Sequence, residues 1–470
     1  MKRKWRRESI TQQTAVTLWK SIAAIALGFL SLEKARSSDG IVDLTALPNY
    51  ANQAVPSYIE RDNTPDNNAI SDAGAILGRV LFYDKRLSRN ETISCASCHR
   101  QENAFGDPSA ASTGVSGLTA RHSMRLVNIR FGQERRMFWD ERATSVEDQS
   151  TRPIHDHIEM GFSGTNGDPR FDELVERLSA IETYQVLFTV AFGTSQITET
   201  RMQRALAQFV RSIQSYDSRF DQGREVAGSD RAPFPNFSAS ENRGKTLFLD
   251  PPGRGAGCAA CHRPPEFDIT PGSGNNGVTG SLSGGRDLAV TRSPSLRDLV
   301  AEDGTPHGPM MHDASLLSLL DVINHYDRID SDNPELDRRL RGRRGPGVGQ
   351  NLNLSTREKL DLVAFMRTLT GRAVYTDKRW SDPFDSHGHL SLILLPSSGL
   401  EIRVTNEAER PMIEVAMNGA PNIAYVLQSS GDLNEWRDVM EVQDESGRLS
   451  RIVPIRDERQ RLFYRYVFRP

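Results

Sequence analysis

The sequence predicts a mainly α protein, two tandem helical domains followed by a small C-terminal all-β sandwich-like domain, and three observations carry that prediction. A C-x-x-C-H run occurs twice, as Cys95-Ala-Ser-Cys98-His99 and as Cys258-Ala-Ala-Cys261-His262, and uses all four cysteines. Each run follows a helix-patterned stretch with an aromatic near its end, Gly78-Arg-Val-Leu-Phe-Tyr-Asp84 and Gly244-Lys-Thr-Leu-Phe-Leu-Asp250, which makes an internal repeat. Beyond Ser381 the pattern changes to short β-prone runs parted by Gly, Asn or Asp.

C-x-x-C-H is the attachment signature of a c-type haem: two thiols form thioethers with the vinyl groups and the adjacent His supplies an axial nitrogen to iron. A zinc site or a redox dithiol would also use C-x-x-C. Four thiolates on one zinc would have to join distant pairs, however, and neither alternative explains the His after both second cysteines. Two covalently bound c-type haems are therefore expected, with His99 and His262 on iron, and each half reads as a cytochrome-c-like helical domain. The first, 45–228, closes with the helical pattern 202–213; the second, 237–381, closes with 360–369 and Gly371 as C-cap. The polar, Pro-containing stretch 228–236 reads as the linker. In the last domain, 386–470, the β-prone runs are 390–395, 400–404, 413–417, 424–428 and 462–468. Nothing in them suggests catalysis, so a docking or structural role is expected.

The chain of 470 residues has room for about three domains, each able to bury a core. Hydrophobic residues at 37% and charged residues at 25% suit a soluble globular protein, and a net charge of -3 leaves no basic footprint for nucleic acid. Residues 1–38 read as a signal peptide or N-terminal anchor. Lys2, Arg3, Lys4, Arg6 and Arg7 precede an apolar stretch, 21–32, that is too short to span a bilayer comfortably. Arg6-Arg7 does not complete a twin-arginine motif, and 33–38 holds no clean A-x-A site, so cleavage and anchoring both stay open. Export to the periplasm is expected, because haem attachment needs free thiols outside the cytoplasm, and no membrane span is expected beyond this segment.

With Leu87-Ser88, Phe138-Trp-Asp-Glu-Arg142, Glu159-Met-Gly161 and Met311-His-Asp313 added to the haem runs, residues from about 70 to 372 resemble the bacterial di-haem cytochrome c peroxidases and their MauG-type relatives. The resemblance implies reduction of hydrogen peroxide at the first haem, held by His99 and open on its other face. Electrons would arrive through the second haem from a redox protein or a protein substrate. Most di-haem peroxidases carry a distal His in the loop after the first site. Counting back from Asn128 puts Gly114 to Ser116 at that place, so this His is missing, as in the MauG-like branch. His122 is the only histidine of the loop and the rival ligand; it falls where the family has an Asn that contributes to an interdomain calcium site. His307 and Pro309 hold the positions whose counterparts give main-chain carbonyls to that ion, and the sequence leaves calcium undecided.

Splitting peroxide requires moving a proton from the inner to the outer oxygen, a task for a carboxylate or His above iron. Glu159, in Ile158-Glu-Met-Gly-Phe162, matches the family's catalytic Glu and lies twenty positions after Trp139; a surface Glu in a loop is the plain alternative. Trp139 matches the aromatic residue between the two haems, where an indole can be oxidised transiently, and it can serve as a core Trp as well. His155 and His157 read as structural, with a share in the proton relay as the alternative. Fourteen positions after His312 stands Tyr326, where peroxidases have Met and MauG-like proteins have Tyr. Tyr326 is therefore expected opposite His262, where a phenolate would lower the reduction potential. His325, Met310 and Met311 compete for that place, and His312 reads as a residue shaping the pocket. The expected function is a periplasmic di-haem peroxidase-like oxidoreductase in the MauG-like mode. Two other readings compete: a non-catalytic di-haem electron carrier, and a surface-binding protein whose β module does the binding.

Overall fold

The computed structural model describes residues 38–329, 333–342, 348–396, 398–407, 410–454 and 462–468; the signal or anchor segment expected over 1–38 lies outside these but for Ser38. Helix α1 (Asp72–Tyr83) starts at Ser71, whose hydroxyl accepts the Gly74 N–H, with Asp72 in the first turn at the positive end of the helix dipole. The first haem run forms the single turn α2 (Cys95–Cys98). Four further helices, α3 (Val146–His155), α4 (Phe171–Ser179), α5 (Glu182–Phe192) and α6 (Glu199–Ser212), complete the first helical body. The second comprises α7 (Arg219–Ala227), α8 (Ala239–Leu249), α9 (Leu319–Asp327) and α10 (Thr356–Arg367).

The repeat seen in the sequence is a repeat of one helix crossing. At Gly78 on α1 a Cβ would stand 2.0 Å from the Ala205 carbonyl oxygen and 2.8 Å from Phe209 Cβ, so only glycine lets α1 and α6 approach this closely. At Gly244 on α8 a Cβ would stand 1.9 Å from the Asp361 carbonyl and 2.9 Å from Phe365 Cβ on α10. Ala205/Phe209 and Asp361/Phe365 are both i, i+4 pairs, one helical face in each case. Phe82 and Phe248 follow their glycines by one turn and are buried, at 2% and 1% exposure.

Strands are few in the helical part. β1 (Ile41–Asp43) pairs in parallel with β4 (Ser391–Ile393), Ile41 opposite Ser391, while β2 (His262–Arg263) and β3 (Asp268–Ile269) form a short hairpin just after the second haem run. The C-terminal strands are β5 (Glu401–Glu407), β6 (Arg410–Asn418), β7 (Ala424–Ser430), β8 (Arg437–Gln443), β9 (Arg448–Pro454) and β10 (Phe463–Phe468). They form two three-stranded antiparallel sheets, ordered β5-β6-β9 and β10-β7-β8. The Tyr466 hydroxyl on β10 donates to the Val415 carbonyl on β6 at 2.9 Å and so ties one sheet to the other.

Two buried clusters organise the chain. One joins α1, α5 and α6 with Trp380, Phe384 and the inner residues of both sheets, Val415, Tyr425 and Leu427 among them; the other joins Phe220, Phe248, Phe267 and Phe365. The β module is thus continuous with the core of the first helical body, and Asn422 Nδ2 also donates to the Val190 carbonyl at 3.1 Å. After α10 the chain returns to the first body: the buried Trp380 indole donates to Ser212 Oγ at 3.2 Å, and Tyr83 donates to the Trp380 carbonyl at 2.6 Å.

Local expectations differ from the structure at four places. The stretch 228–236, expected as a linker, carries Phe234, which packs 5.3 Å from Phe220, so the crossing between clusters falls earlier, between Ile213 and Phe220. Helix α10 ends at Arg367 with Thr368 in right-handed geometry as its cap, and Gly371 instead donates its N–H to Asp298. The run 390–395 yields three strand residues, which pair with β1 and stand outside both sheets. Strands β8 and β9 were not expected; β8 is mostly exposed, and charged residues interrupt its alternation.

Candidate functional site

Each C-x-x-C-H run opens on its own cavity. The first, of about 570 Å³, is lined by Cys95, Cys98, His99, Trp139 and Glu159; the second, of about 330 Å³, by Cys258, Cys261, His262 and Tyr326. All four cysteines are free. Burial pushes all four thiols up. Because the pairs line separate cavities, the four thiols do not meet at one zinc ion. Among the described residues no group of three or more His, Cys, Asp or Glu is placed to hold a metal ion.

The histidines are oriented by their own loops. His99 Nδ1 donates to the Phe105 carbonyl at 3.1 Å, which leaves Nε2 as the basic nitrogen, the tautomer an iron ligand needs. Phe105 presents that carbonyl from a left-handed backbone, φ 56°, and Phe267 does the same after His262 with φ 58°. The His262 Nδ1 is buried without a close hydrogen bond, and the Phe267 main chain is the polar group acting on it. Two thiols, one imidazole and a largely apolar wall in each cavity fit a covalently attached c-type haem.

Glu159 is placed by a turn and a glycine. Asp156 Oδ1 accepts the Ile158 and Glu159 N–H groups at 2.8 and 3.0 Å, and the Glu159 carbonyl accepts the Val115 N–H at 3.0 Å. At Gly114 a Cβ would stand 2.0 Å from the Ile158 carbonyl and 2.8 Å from Glu159 Cα, so the loop expected to lack a distal His lies against the carboxylate's own backbone. Burial pushes the Glu159 carboxyl up to about 7; Asp156 adds to the rise and Arg142 opposes it. Arg89 braces the same loop, donating to Ser116 Oγ at 2.8 Å and to Asp168 at 2.6 Å.

Trp139 lines the first cavity and hydrogen-bonds to the wall of the second. Its indole donates to the His122 carbonyl at 2.7 Å, and its carbonyl accepts the Thr291 and Arg292 N–H groups, both at 3.0 Å. Thr291 and Arg292 line the second cavity, and Arg292 lines the first as well. The His312 ring lies 6.1 Å from the Trp139 ring, buried, with Nε2 donating to the Gly280 carbonyl at 2.8 Å. It lines neither cavity.

Other expected residues fall outside the cavities or are engaged elsewhere. His155 bonds Glu199 at 2.8 Å and stacks on Phe171, and His157 bonds Asp168 at 2.8 Å; neither lines the first cavity. Of the candidates opposite His262, only Tyr326 lines the second cavity: His325 Nε2 donates to the Asn276 carbonyl at 2.9 Å, and Met310 and Met311 lie outside. Met366, which the sequence reading did not weigh, lines it from α10. His122 lines the first cavity with Nδ1 donating to the Ser109 and Ala110 carbonyls at 3.0 and 3.2 Å; Met124, Met137 and Met160 line it too. Calcium finds a poor donor set here. The ring at position 122 points a donor at carbonyls, and the His307 carbonyl accepts Asn103 Nδ2 at 3.0 Å. Sequence reasoning named Gly114 and Arg142 without their contacts to Glu159 and passed over Arg292, because these roles arise only from approach across the fold.

Comparison with known proteins gives concordant results. A family model described as di-haem cytochrome c peroxidase matches residues 72–229. The methylamine utilization protein MauG of Methylophilus methylotrophus is 33% identical over 321 residues, covering 66% of this chain and 86% of that one. Its namesake from Methylorubrum extorquens is 34% identical over 316 residues, covering 65% and 80%. A solved structure of a MauG-like protein associated with microbial copper homeostasis matches with a TM-score of 0.56 at 29% identity, over 71% of this chain and 99% of that one.

Proposed function

This chain belongs to the di-haem cytochrome c peroxidase family, a peroxidase-like di-haem oxidoreductase with two c-type haems, and on that premise we propose that it reduces hydrogen peroxide in the MauG-like mode. The observation that carries the reading is the asymmetry of the cavities. One sets Glu159 and a glycine loop in the space that His99 faces, and the other sets Tyr326 in the space that His262 faces.

When bound, the first haem supplies the iron that splits the O–O bond. Glu159 handles the proton, taking it from the inner oxygen of peroxide and returning it to the outer one, which leaves as water. A carboxyl near 7 suits both halves of that transfer at neutral pH. Trp139 gives up an electron toward the first cavity and is refilled from the second across its contacts with Thr291 and Arg292. Tyr326 and His262 would hold the second haem's iron between them, and a phenol oxygen there would lower its reduction potential and favour storage of oxidising equivalents. In sum, one peroxide, two electrons and two protons give two waters, the electrons coming from a redox protein or from oxidisable residues of a protein substrate.

On this reading the first haem domain is peroxidatic, the second transfers electrons, and the β module serves docking or structure. The protein works in the periplasm, a reading supported by the basic and apolar N-terminal pattern and by the chemistry of haem attachment. Electron paramagnetic resonance of the oxidised protein tests the scheme. One high-spin and one low-spin ferric signal, both lost on adding peroxide, are expected. Low-spin signals from both haems with no peroxide reaction would instead identify an electron carrier.

A further inference from the structure

The first cavity holds a charge that peroxide reduction does not use. Arg125 lines it, and its Nε is buried without a hydrogen-bond partner. Its guanidinium makes no hydrogen bond or ion pair among the described residues, unlike its neighbours. Arg121 pairs with Asp140 and Asp287, Arg142 with Asp140, and Arg292 lies 3.6 Å from Asp268. The carboxylate acting on Arg125 is that of Asp298, fully buried, whose Oδ1 accepts the Gly371 N–H and the Tyr375 hydroxyl, each at 2.8 Å, and whose Oδ2 is buried without a partner; it acts on Arg125 across space and forms no ion pair with it. Burial holds the Arg125 guanidinium below its ordinary range, which marks its charge as under-compensated. Arginine does not escape by losing its proton, so such a group calls for an anion.

Its position gives the cation a meaning. Arg125 lies three residues after His122, within 3.8 Å of where a Cβ on Gly106 would stand, and acts electrostatically on His307. The resemblance implies calcium in these surroundings, and here the His307 carbonyl accepts Asn103 Nδ2 while the ring at position 122 donates to the Ser109 and Ala110 carbonyls, with a fixed positive charge beside them. We propose that Arg125 replaces the calcium ion as the cation of this junction and receives a propionate carboxylate of the first haem. The proposal rests on reading the first cavity as a haem site. A guanidinium fork matches a carboxylate with two parallel N–H bonds, and a haem brings two carboxylates into a cavity whose other described arginines already have partners.

The test uses holoprotein whose content of two c-type haems is fixed first by pyridine haemochrome; a missing haem would strike the reading of the cavity itself. Before any chelator is added, emission spectroscopy should find no stoichiometric calcium, and the paramagnetic resonance of both haems should be unchanged by dialysis against EGTA. Spectroelectrochemistry of Arg125→Gln should show the first haem's midpoint potential moved down, because a cation beside a propionate favours the reduced iron, while Arg125→Lys moves it less. One calcium per chain, removed by chelation with a spectral change, would overturn the replacement. An unmoved potential in Arg125→Gln with both haems retained would overturn the propionate contact.

Discussion

Replacing Glu159 with Gln gives the sharpest reading of the chemistry. Burial among the cavity walls and the charge of Asp156 push the Glu159 carboxyl up to about 7, against the pull of Arg142. The ionised form is the proton acceptor, so activity is present above this value and lost as pH falls through it. About one tenth of Glu159 is ionised at pH 6 and about nine tenths at pH 8, which predicts a roughly tenfold rise in the second-order rate with peroxide. Glu159→Gln removes the acceptor and should lower that rate by ~10²–10⁴ while flattening its pH dependence. Stopped-flow absorbance at the Soret band after mixing with peroxide, from pH 5.5 to 8.5, measures both. Two companions check the electrostatics: Asp156→Asn should shift the rise to lower pH, and Arg142→Met to higher pH. A Gln variant that keeps wild-type rates with both haems attached, or a wild-type rate flat across this range, would refute the assignment.

Three other perturbations probe the geometry. Gly114→Ala places a Cβ 2.0 Å from the Ile158 carbonyl. Moving the Glu159 turn by about 1 Å should cost ~10²-fold in the peroxide rate with haem content unchanged, and an unaffected rate would mean the loop does not position the carboxylate. Tyr326→Met exchanges an oxygen for a thioether in the second cavity and should raise that haem's potential and alter its low-spin resonance; identical spectra would remove Tyr326 as a ligand. A chain ending at Phe384 loses β4, the partner of β1, and the sheet residues that share the first cluster. Its thermal midpoint should fall, by about 2–4 °C for each kcal/mol lost, and a wild-type Tm would show that the module is energetically separate.

Much of this protein could be read along the chain. Covalent attachment demands two thiols and a His at fixed short spacing, so both haem runs were legible without a fold, and the helices around them carried their own signals in periodicity and in caps such as Ser71. The resemblance pointed to Glu159, Trp139 and Tyr326, and the structure puts each of them at or between the cavities. What could not be read was approach. Nothing in the local pattern said that Gly114 lies on the backbone of Glu159, or that Trp139 hydrogen-bonds through its carbonyl to the chain lining the second cavity. Nor did it say that the β module shares a core with α1 and α6.

The sequence by itself determined which chemistry the chain can carry, because haem attachment and helix start signals depend on neighbours a few residues apart. Tertiary structure alone decided the electrostatics of that chemistry. The raised carboxyl of Glu159 and the buried charge of Arg125 depend on which groups are excluded from water and which opposite charges come within reach, and segments distant in sequence supply both.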